Sequence, residues 1–286
     1  MSKKVLMING SFRKRNTYGL LAQIGKILKS HGIETEILNL FDYEIKDCTG
    51  CDDLCIRRKG CHINDGVPLI MQKITDSDGL VLSSPVYLGG VTSKFKTFAD
   101  RTNEWFHKPE PVGKPVLFVV TTAISGIKET LHYLDLLATG FGTRKGGSIT
   151  RTNKDLSEPV KESELSRFLQ LLQNEKKHYK PSINEIVIFE VQKVLAQKSS
   201  GEDKKFWEEK NWNDKCYYYE CEIGPLKKTF SKMMHGILSK AIKLPEKQPY
   251  PNGYGIKSWE KNRTTRYFSD SPVQPSNVIK CTHFFI

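Results

Sequence analysis

Three runs dominated by apolar residues constrain the fold of this chain more than any other feature. They are residues 5–8, 79–84 and 115–121, and each is too uniformly apolar to form a strand with one face in water. Between them, apolar residues recur every three or four positions, as in helices that cover a sheet. Strands that alternate with helices over residues 4–175 predict a parallel sheet with helices on both faces.

The same pattern predicts five strands and the helices that connect them. Four strands lie over 5–8, 33–40, 79–84 and 115–121, and the Gly-rich residues 140–150 lead into a fifth. The helices lie over 18–30, 67–74, 93–106, 128–138 and 156–176. Ligands of such a sheet bind beyond the carboxyl ends of its strands. We therefore expect the loops after the first, third and fourth strands to converge on one site.

The alternation stops at Pro181. Residues 185–197 and 226–242 have the apolar spacing of amphipathic helices, and the aromatic residues between them, over 206–219, are expected to be exposed. This predicts three parts: an α/β domain over 1–178, a helical C-terminal extension over 179–244 that packs on the domain or on a second subunit, and a loosely ordered tail over 245–286.

The charge of the chain is spread rather than concentrated. The net charge of +12 comes from 20 Lys and Arg against 15 Asp and Glu in residues 1–150, and from 24 against 17 in residues 151–286. No basic tail or nucleic-acid-binding motif accompanies it, so we expect no nucleic-acid partner. The chain starts with the polar residues MSKK and its longest uncharged run, 115–127, is too short to span a bilayer. We expect a cytoplasmic protein without membrane contact.

The first loop, NGSFRKRNT over residues 9–17, has the composition of an anion site. It leads from a strand into a helix, whose first backbone N–H groups point at one spot and favour negative charge. Ser11, Asn16 and Thr17 add neutral donors, and Arg13 adds a forked cation. The alternative is an ordinary turn in which these side chains only cap a helix.

The loop after the third strand, residues 84–90, suits a flat ring. Pro85 fixes the direction of the backbone, Tyr87 offers an aromatic face, and the glycines allow a close approach of the main chain. The alternative is a buried strand that leaves through an ordinary Pro/Gly turn. Residues 122–126, after the fourth strand, form a weaker third wall.

Four of the seven cysteines lie close together, as Cys48-x2-Cys51-x3-Cys55-x5-Cys61. An odd number of cysteines in a chain of this length does not indicate a disulfide framework. The compact cluster could hold a [4Fe–4S] cluster or a zinc ion, or could consist of reduced thiols.

Common catalytic motifs are missing from the sequence. It has no Walker loop, no G-x-S-x-G elbow and no H-E-x-x-H helix, and its seven histidines are scattered singly. We therefore expect no catalytic side chain and assign the chemistry to a cofactor.

Several of these motifs together resemble a known family. Gly10-Ser-Phe-Arg13 with Asn16-Thr17, then SPVYLGG over 84–90 and Lys96-x3-Asp100-Arg101, resemble the NADPH-dependent FMN reductase family, and more narrowly its iron–sulfur flavoprotein branch. The resemblance implies a flavodoxin-like, doubly wound, five-stranded parallel sheet, usually dimeric. It also implies that Ser11, Arg13, Asn16 and Thr17 hold the FMN phosphate and that the isoalloxazine lies along Pro85, Val86, Tyr87, Leu88 and Gly89.

The cysteine spacing departs from that branch, which has two residues between the second and third cysteines where this chain has three. The departure leaves open whether the cluster is present or was lost. Asp100 and Arg101 are interpreted as a structural ion pair or an interface contact rather than as catalytic residues.

The expected function is an FMN-dependent oxidoreductase that passes electrons from NAD(P)H through FMN to a quinone, a flavin, another small acceptor or a redox protein. The chain is also expected to form a homo-oligomer. The alternatives are a non-enzymatic flavin electron carrier, with or without an iron–sulfur cluster, and an interaction protein that has this fold without flavin.

Overall fold

The strand β1 (Lys4–Asn9) is buried because it lies between two parallel neighbours, β2 (Glu34–Asn39) and β3 (Gly79–Pro85). β3 pairs with β4 (Pro115–Thr121), and β4 pairs with β5 (Arg144–Arg151), again in parallel. The resulting order, β2-β1-β3-β4-β5, is that of the flavodoxin-like doubly wound sheet. The predicted fold class is confirmed.

The computed structural model describes residues 2–51, 55 and 60–243. The predicted tail over 245–286 and part of the cysteine-rich insertion therefore lie outside the described residues. Within the described ranges, no helix combines the length and the apolar character that crossing a bilayer requires.

The helices of the α/β part follow the predicted order with two corrections. They are α1 (Asn16–Ser30), α2 (Val67–Asp76), α3 (Ser93–Arg101), α4 (Glu104–His107), α5 (Ile127–Gly140) and α6 (Ser166–Gln173). The helix predicted over 93–106 is interrupted at Thr102, whose hydroxyl bonds to the Ala99 carbonyl at 2.8 Å. The helix predicted over 156–176 is shorter, because Pro159 cannot donate a helical hydrogen bond and a 3₁₀ turn, Glu162–Leu165, precedes α6.

The three central strands, β1, β3 and β4, bury both of their faces, as their apolar runs require. Alternate residues of one strand, such as Leu6 and Ile8, pack with α2, α3 and α5, and the intervening Val5 and Met7 pack with α1 and α6. Two apolar layers therefore hold the sheet rigid, and the loops at its ends are positioned by that rigid scaffold.

The helical extension contains α7 (Ile183–Lys198), α8 (Glu202–Glu209) and α9 (Pro225–Ala241). The expectation of exposed aromatic residues is wrong, because Trp207, Trp212, Tyr217 and Tyr218 are buried around Phe189. Edge-to-face ring contacts join them, and such contacts add to the stability from burial alone.

Several hydrogen bonds tie the extension to the α/β part, including one from the Lys145 amide to the Tyr179 hydroxyl at 3.3 Å. The Trp207 indole donates to the His107 carbonyl at 2.8 Å, and the Gln192 amide donates to the Gly140 carbonyl at 2.8 Å. The domain boundaries at 178 and 244 stay a prediction.

Candidate functional site

The loop after β1 is fixed by contacts with the loop after β3. The Gly10 amide donates to the Ser83 carbonyl at 2.9 Å, and the Thr92 hydroxyl donates to the Gly10 carbonyl at 2.7 Å. A Cβ at position 10 would lie 2.7 Å from the Ser83 oxygen, so only glycine fits there. The first loop thus leaves the sheet at Gly10, where its backbone lies directly against the backbone of β3.

Two of the four predicted phosphate-binding residues use their hydroxyls inside the protein. Ser11 donates to the Arg13 carbonyl at 3.0 Å, and the Thr17 and Thr121 hydroxyls lie 2.7 Å apart. Both side chains are nearly buried, at 8% and 2% exposure. They shape the loop and connect it to the end of β4.

The other two residues face solvent beside the start of α1. Arg13 and Asn16 are exposed, and among the described residues no carboxylate pairs with Arg13. No side chain of the described chain caps the α1 N-terminus, at Arg15. Uncapped N–H groups of a helix next to a free guanidinium form an anion site, and this donor set fits the phosphate of FMN.

The loop after β3 is a tight turn over residues 87–90. Tyr87 and Gly90 exchange two backbone hydrogen bonds, of 2.9 and 3.0 Å, around Leu88 and Gly89, which both have positive φ angles of 48° and 76°. A leucine rarely adopts this backbone conformation. Leu88 is fully exposed and Tyr87 is 54% exposed, so the turn presents an apolar side chain and an aromatic ring to solvent.

The loop after β4 packs directly against that turn. Gly126, where α5 begins, has a φ of 88°, and a Cβ there would lie 2.6 Å from Val86 Cγ1 and 3.1 Å from Gly89 Cα. The Val86 amide donates to the Thr121 carbonyl at 2.8 Å. The contact makes the loop a wall of the same site, with Ile124 exposed at its tip.

The three loops lie at one edge of the sheet, since Asn9 is in register with Ser83 and Pro85 with Thr121. Large apolar side chains are exposed on each of them: Phe12, Tyr87, Leu88 and Ile124. Exposed apolar side chains that border a group of polar donors are typical of a ligand site or an interface. This edge offers an anion site and apolar surface together, which a phosphorylated aromatic cofactor requires.

Two contacts at this edge could not be inferred from the motifs. Thr92 is buried, and its hydroxyl donates a hydrogen bond to the Gly10 carbonyl in the first loop. The same hydroxyl caps α3 by accepting a hydrogen bond from the Phe95 amide at 3.3 Å. Its position just before a helical pattern is the sequence signal of a helix cap. Gly126 has no comparable signal, because its role depends on a loop 40 residues away in the sequence.

The cysteine-rich insertion is held by a buried arginine. Arg101 pairs with Asp65, and the side chains of both residues are fully buried. Its guanidinium also donates to the Lys46 and Ile63 carbonyls at 2.9 and 3.4 Å. Burial lowers the pKa of Arg101, but the hydrogen bonds to Asp65 and the neighbouring Cys61 more than offset this, and the pKa is raised.

The neighbour of Arg101 in the sequence, Asp100, forms an ion pair within its own helix, with Lys96 on the surface of α3. Asp100 and Arg101 thus each form an ion pair, with different partners rather than with each other.

The four cysteines are not gathered as metal ligands. Cys48 is exposed, and Cys51, Cys55 and Cys61 are partly exposed. Within the described part of the chain, no group of three or more His, Cys, Asp or Glu side chains is placed to hold a metal ion. The arrangement does not fit a [4Fe–4S] cluster or a zinc ion.

Comparisons with known proteins find relatives of this chain by sequence and by structure. A family model described as NADPH-dependent FMN reductase matches residues 3–149. An iron-sulfur flavoprotein of Archaeoglobus fulgidus is 42% identical over 99 residues, which are 35% of this chain and 48% of that protein. An iron-sulfur flavoprotein of Methanocaldococcus jannaschii is 40% identical over 100 residues, 35% of this chain and 51% of that protein. The chain thus spans about half the length of these curated relatives.

One solved structure shares the fold over nearly the whole chain. It is RosB with bound 8-demethyl-8-formylriboflavin-5'-phosphate, with a TM-score of 0.50 and 14% identity over 96% of this chain and 100% of that chain. The likeness at this identity concerns the fold alone.

Proposed function

Because the chain belongs to the NADPH-dependent FMN reductase family, we propose that it binds FMN at the carboxyl edge of the sheet and passes electrons from NAD(P)H to a small acceptor. The acceptor would be a quinone, a flavin or another small molecule, or else a redox protein. When bound, FMN supplies the redox chemistry, and the protein binds and orients it.

The single observation that carries the proposal is the joining of three loops at one edge. The Gly10 amide bonds to Ser83, the Thr17 and Thr121 hydroxyls lie 2.7 Å apart, and Gly126 packs against Gly89. If the first loop were only an ordinary turn that caps a helix, it would not need contacts with the segments around the ends of β3 and β4. Their contacts favour a ligand that spans from the α1 N-terminus to the turn at 87–90.

Each residue of the site has a proposed part. The N–H groups at the start of α1, with Arg13 and Asn16, hold the phosphate, and Ser11 and Thr17 keep the loop in shape. Pro85, Val86, Tyr87, Leu88 and Gly89 form the backbone and apolar surface along which the ring lies. The backbone amides of this turn can stabilise negative charge on the ring.

An FMN titration with two variants tests the proposal. We expect Arg13→Ala to weaken FMN binding by about 1.5–3 kcal/mol, since one charge-assisted hydrogen bond is lost. Arg167→Ala is the control, because that arginine is exposed and donates to the Lys145 carbonyl, near the start of β5. Equal FMN affinity in wild type and in Arg13→Ala would remove Arg13 from the site.

Turnover separates the enzyme from the second candidate, an electron carrier that holds a flavin and an iron–sulfur cluster, the two groups in the names of the iron-sulfur flavoprotein relatives. We expect the purified protein with FMN to oxidise NAD(P)H when a quinone is present. If FMN binds but no acceptor supports turnover, the carrier is the better description. Iron analysis of an anaerobic preparation, with Cys55→Ser beside it, then tests whether a cluster forms despite the arrangement of the thiols.

We also infer a homo-oligomer, because Phe12, Leu88 and Ile124 are large, apolar and exposed around the site. Light scattering after size-exclusion chromatography measures the mass. A monomer at micromolar concentration, with and without FMN, would contradict this inference.

A further inference from the structure

The amino edge of the sheet, opposite the three loops, contains a cavity of about 350 Å³. Its lining includes four cations, Lys3, Lys114, Arg144 and Lys176. They come from the approaches to β1, β4 and β5 and from the segment after α6. Chain segments far apart in the sequence therefore bring four positive charges to one place.

These cations are bonded to backbone carbonyls rather than to carboxylates. Arg144 is 4% exposed, and its guanidinium donates to the carbonyls of Gly113 and Leu171 at 2.8 Å and of Asn174 at 3.3 Å. Lys3 donates to the Leu172 carbonyl. Most of these carbonyls belong to the last turn of α6, so the bonds are also those of a helix C-cap.

The two lysines on the other side of the cavity show the same pattern. Lys114 donates to the Thr75 and Ser77 carbonyls at the end of α2, and Lys176 donates to the Val112 carbonyl at 3.3 Å. Among the described residues, none of the four cations has a carboxylate within salt-bridge distance. The carboxylates of the lining are engaged elsewhere, since Asp78 accepts the Lys4 amide and Glu175 pairs with Lys177.

The helix ends alone do not balance this charge. A helix C-terminus carries the equivalent of about half a negative charge, and two such ends face four full positive charges. Burial is the main cause that lowers the pKa of Lys114, Arg144 and Lys176, and the Arg144 charge lowers that of Lys176 further. Asp78 and Asp76 raise the pKa of Lys114 but offset only part of the shift. Asp78 and Glu175 add two negative charges to the lining, so with the two helix ends the four cations still exceed the negative charge around the cavity by about one unit.

We propose that this cavity is a second anion site, which binds a tetrahedral oxyanion of the phosphate class through Lys3, Lys114, Arg144 and Lys176. The cavity is large enough for a phosphate group with part of the molecule that carries it. Arg144 is fixed by its three carbonyls. The side chain of Lys176 lies across Gly113 and has one hydrogen bond, of 3.3 Å to the Val112 carbonyl, which it can exchange for a bond to an anion. The proposal does not depend on FMN binding at the carboxyl edge.

Calorimetric titration of the full chain with inorganic phosphate tests the proposal, with ionic strength kept constant by chloride. Because phosphate would also enter the loop at α1, the titration is made on Arg13→Ala as well as on wild type. We expect one saturable phosphate site to remain in Arg13→Ala. Loss of all phosphate binding in that variant would overturn the proposal.

Two charge-removing variants locate the site. Lys176→Gln and Lys3→Gln, each made on the Arg13→Ala background, are expected to weaken phosphate binding at least about tenfold, as the loss of one charge-assisted bond does. Lys180→Gln is the matched control, since it removes an exposed lysine that pairs with Glu222, and neither of these two residues lines the cavity. If neither variant changes the affinity, the four cations serve only as helix caps and the proposal fails.

A competition experiment then assigns the source of the phosphate. AMP is added to the Arg13→Ala protein at saturating inorganic phosphate. Displacement of phosphate supports a phosphate monoester as the occupant, and its absence supports the free oxyanion. If the four cations serve only as helix caps, neither inorganic phosphate nor AMP gives a saturable signal.

Discussion

The two edges of the sheet offer different groups to a negatively charged ligand. At the carboxyl edge, the α1 N-terminus supplies uncapped N–H groups, and the one cation assigned to the phosphate, Arg13, is exposed. At the amino edge, Arg144 is buried, and its hydrogen bonds within the described part of the chain all go to carbonyls. One edge thus offers fixed dipoles and the other offers full charges.

The difference follows from the direction of the chain in a parallel α/β fold. Every strand ends and every following helix begins at the carboxyl edge, so helix N-termini collect there. Helix C-termini collect at the amino edge, where their carbonyls attract Lys and Arg side chains. The carboxyl edge can therefore bind an anion without buried cations. At the amino edge, the helix carbonyls favour the presence of cations.

The largest expected effect tests whether backbone packing holds the carboxyl edge together. In Gly126→Ala, the new Cβ would meet Val86 at 2.6 Å, and φ is 88°. We expect a loss of about 2–5 kcal/mol in the free energy of unfolding, from strain and overpacking together. Gly147→Ala is the matched control, because its φ is 110° and nothing lies within 4 Å of the added Cβ. It should lose about 1–2 kcal/mol in urea unfolding. Equal losses would show that the two loops are not tightly packed.

The next effect tests the amino edge by changing shape while keeping charge. Arg144→Lys keeps one positive charge but cannot reach the three carbonyls that the guanidinium fork binds. We expect the free energy of unfolding to fall by about 1.5–3 kcal/mol. Arg167→Lys, an exposed change with one carbonyl bond, should alter it by less than about 0.5 kcal/mol. A similar small change for both would mean that charge alone matters at position 144.

Sequence reasoning predicts the carboxyl edge better than the amino edge, for a physical reason. Apolar runs such as 115–121 predict the strands directly from the sequence. Because the strands are parallel, the loops that follow them, with Ser11 and Tyr87, are predicted at the same edge of the sheet. Gly126 and Thr92 take their roles from loops far away in the sequence. The cations at the amino edge are also scattered along the chain, so no motif connects Lys3 with Arg144.

The helical extension shows a second limit. Spacing predicts α7 and α9, yet aromatic residues over 206–219 lack a periodic pattern, and their burial depends on rings packing against Phe189. The spacing of Cys48, Cys51, Cys55 and Cys61 likewise suggests metal ligands. Whether four thiols meet depends on the backbone between them, which spacing does not determine.

A smaller effect concerns pH and the amino edge. Burial lowers the pKa of Lys114 below its ordinary value of 10.5, so between the folded pKa and 10.5 the unfolded chain binds more protons than the folded chain. The contribution of Lys114 then makes the free energy of unfolding rise as pH increases through that window. We expect Lys114→Met to lose this rise in the window that begins at the folded pKa of Lys114 and ends at 10.5. The comparison uses the difference between the two proteins, because tyrosines such as Tyr179 titrate at higher pH and affect both. Parallel pH profiles would show that Lys114 is not destabilised by its surroundings.

The smallest effect concerns the strained turn at the carboxyl edge. Leu88 has a φ of 48° and is fully exposed, so it loses no packing when replaced. Asparagine tolerates this backbone conformation better than leucine does, and Leu88→Asn should raise the free energy of unfolding by about 0.5–1 kcal/mol. Asn211, exposed with a φ of 54°, supplies the reverse experiment, because Asn211→Leu should lower it by a similar amount. If Leu88→Asn leaves the free energy of unfolding unchanged while Asn211→Leu lowers it, the backbone conformation at Leu88 does not destabilise the wild-type protein. A gain in stability accompanied by weaker FMN binding would instead show that the strain at Leu88 is kept for the ligand.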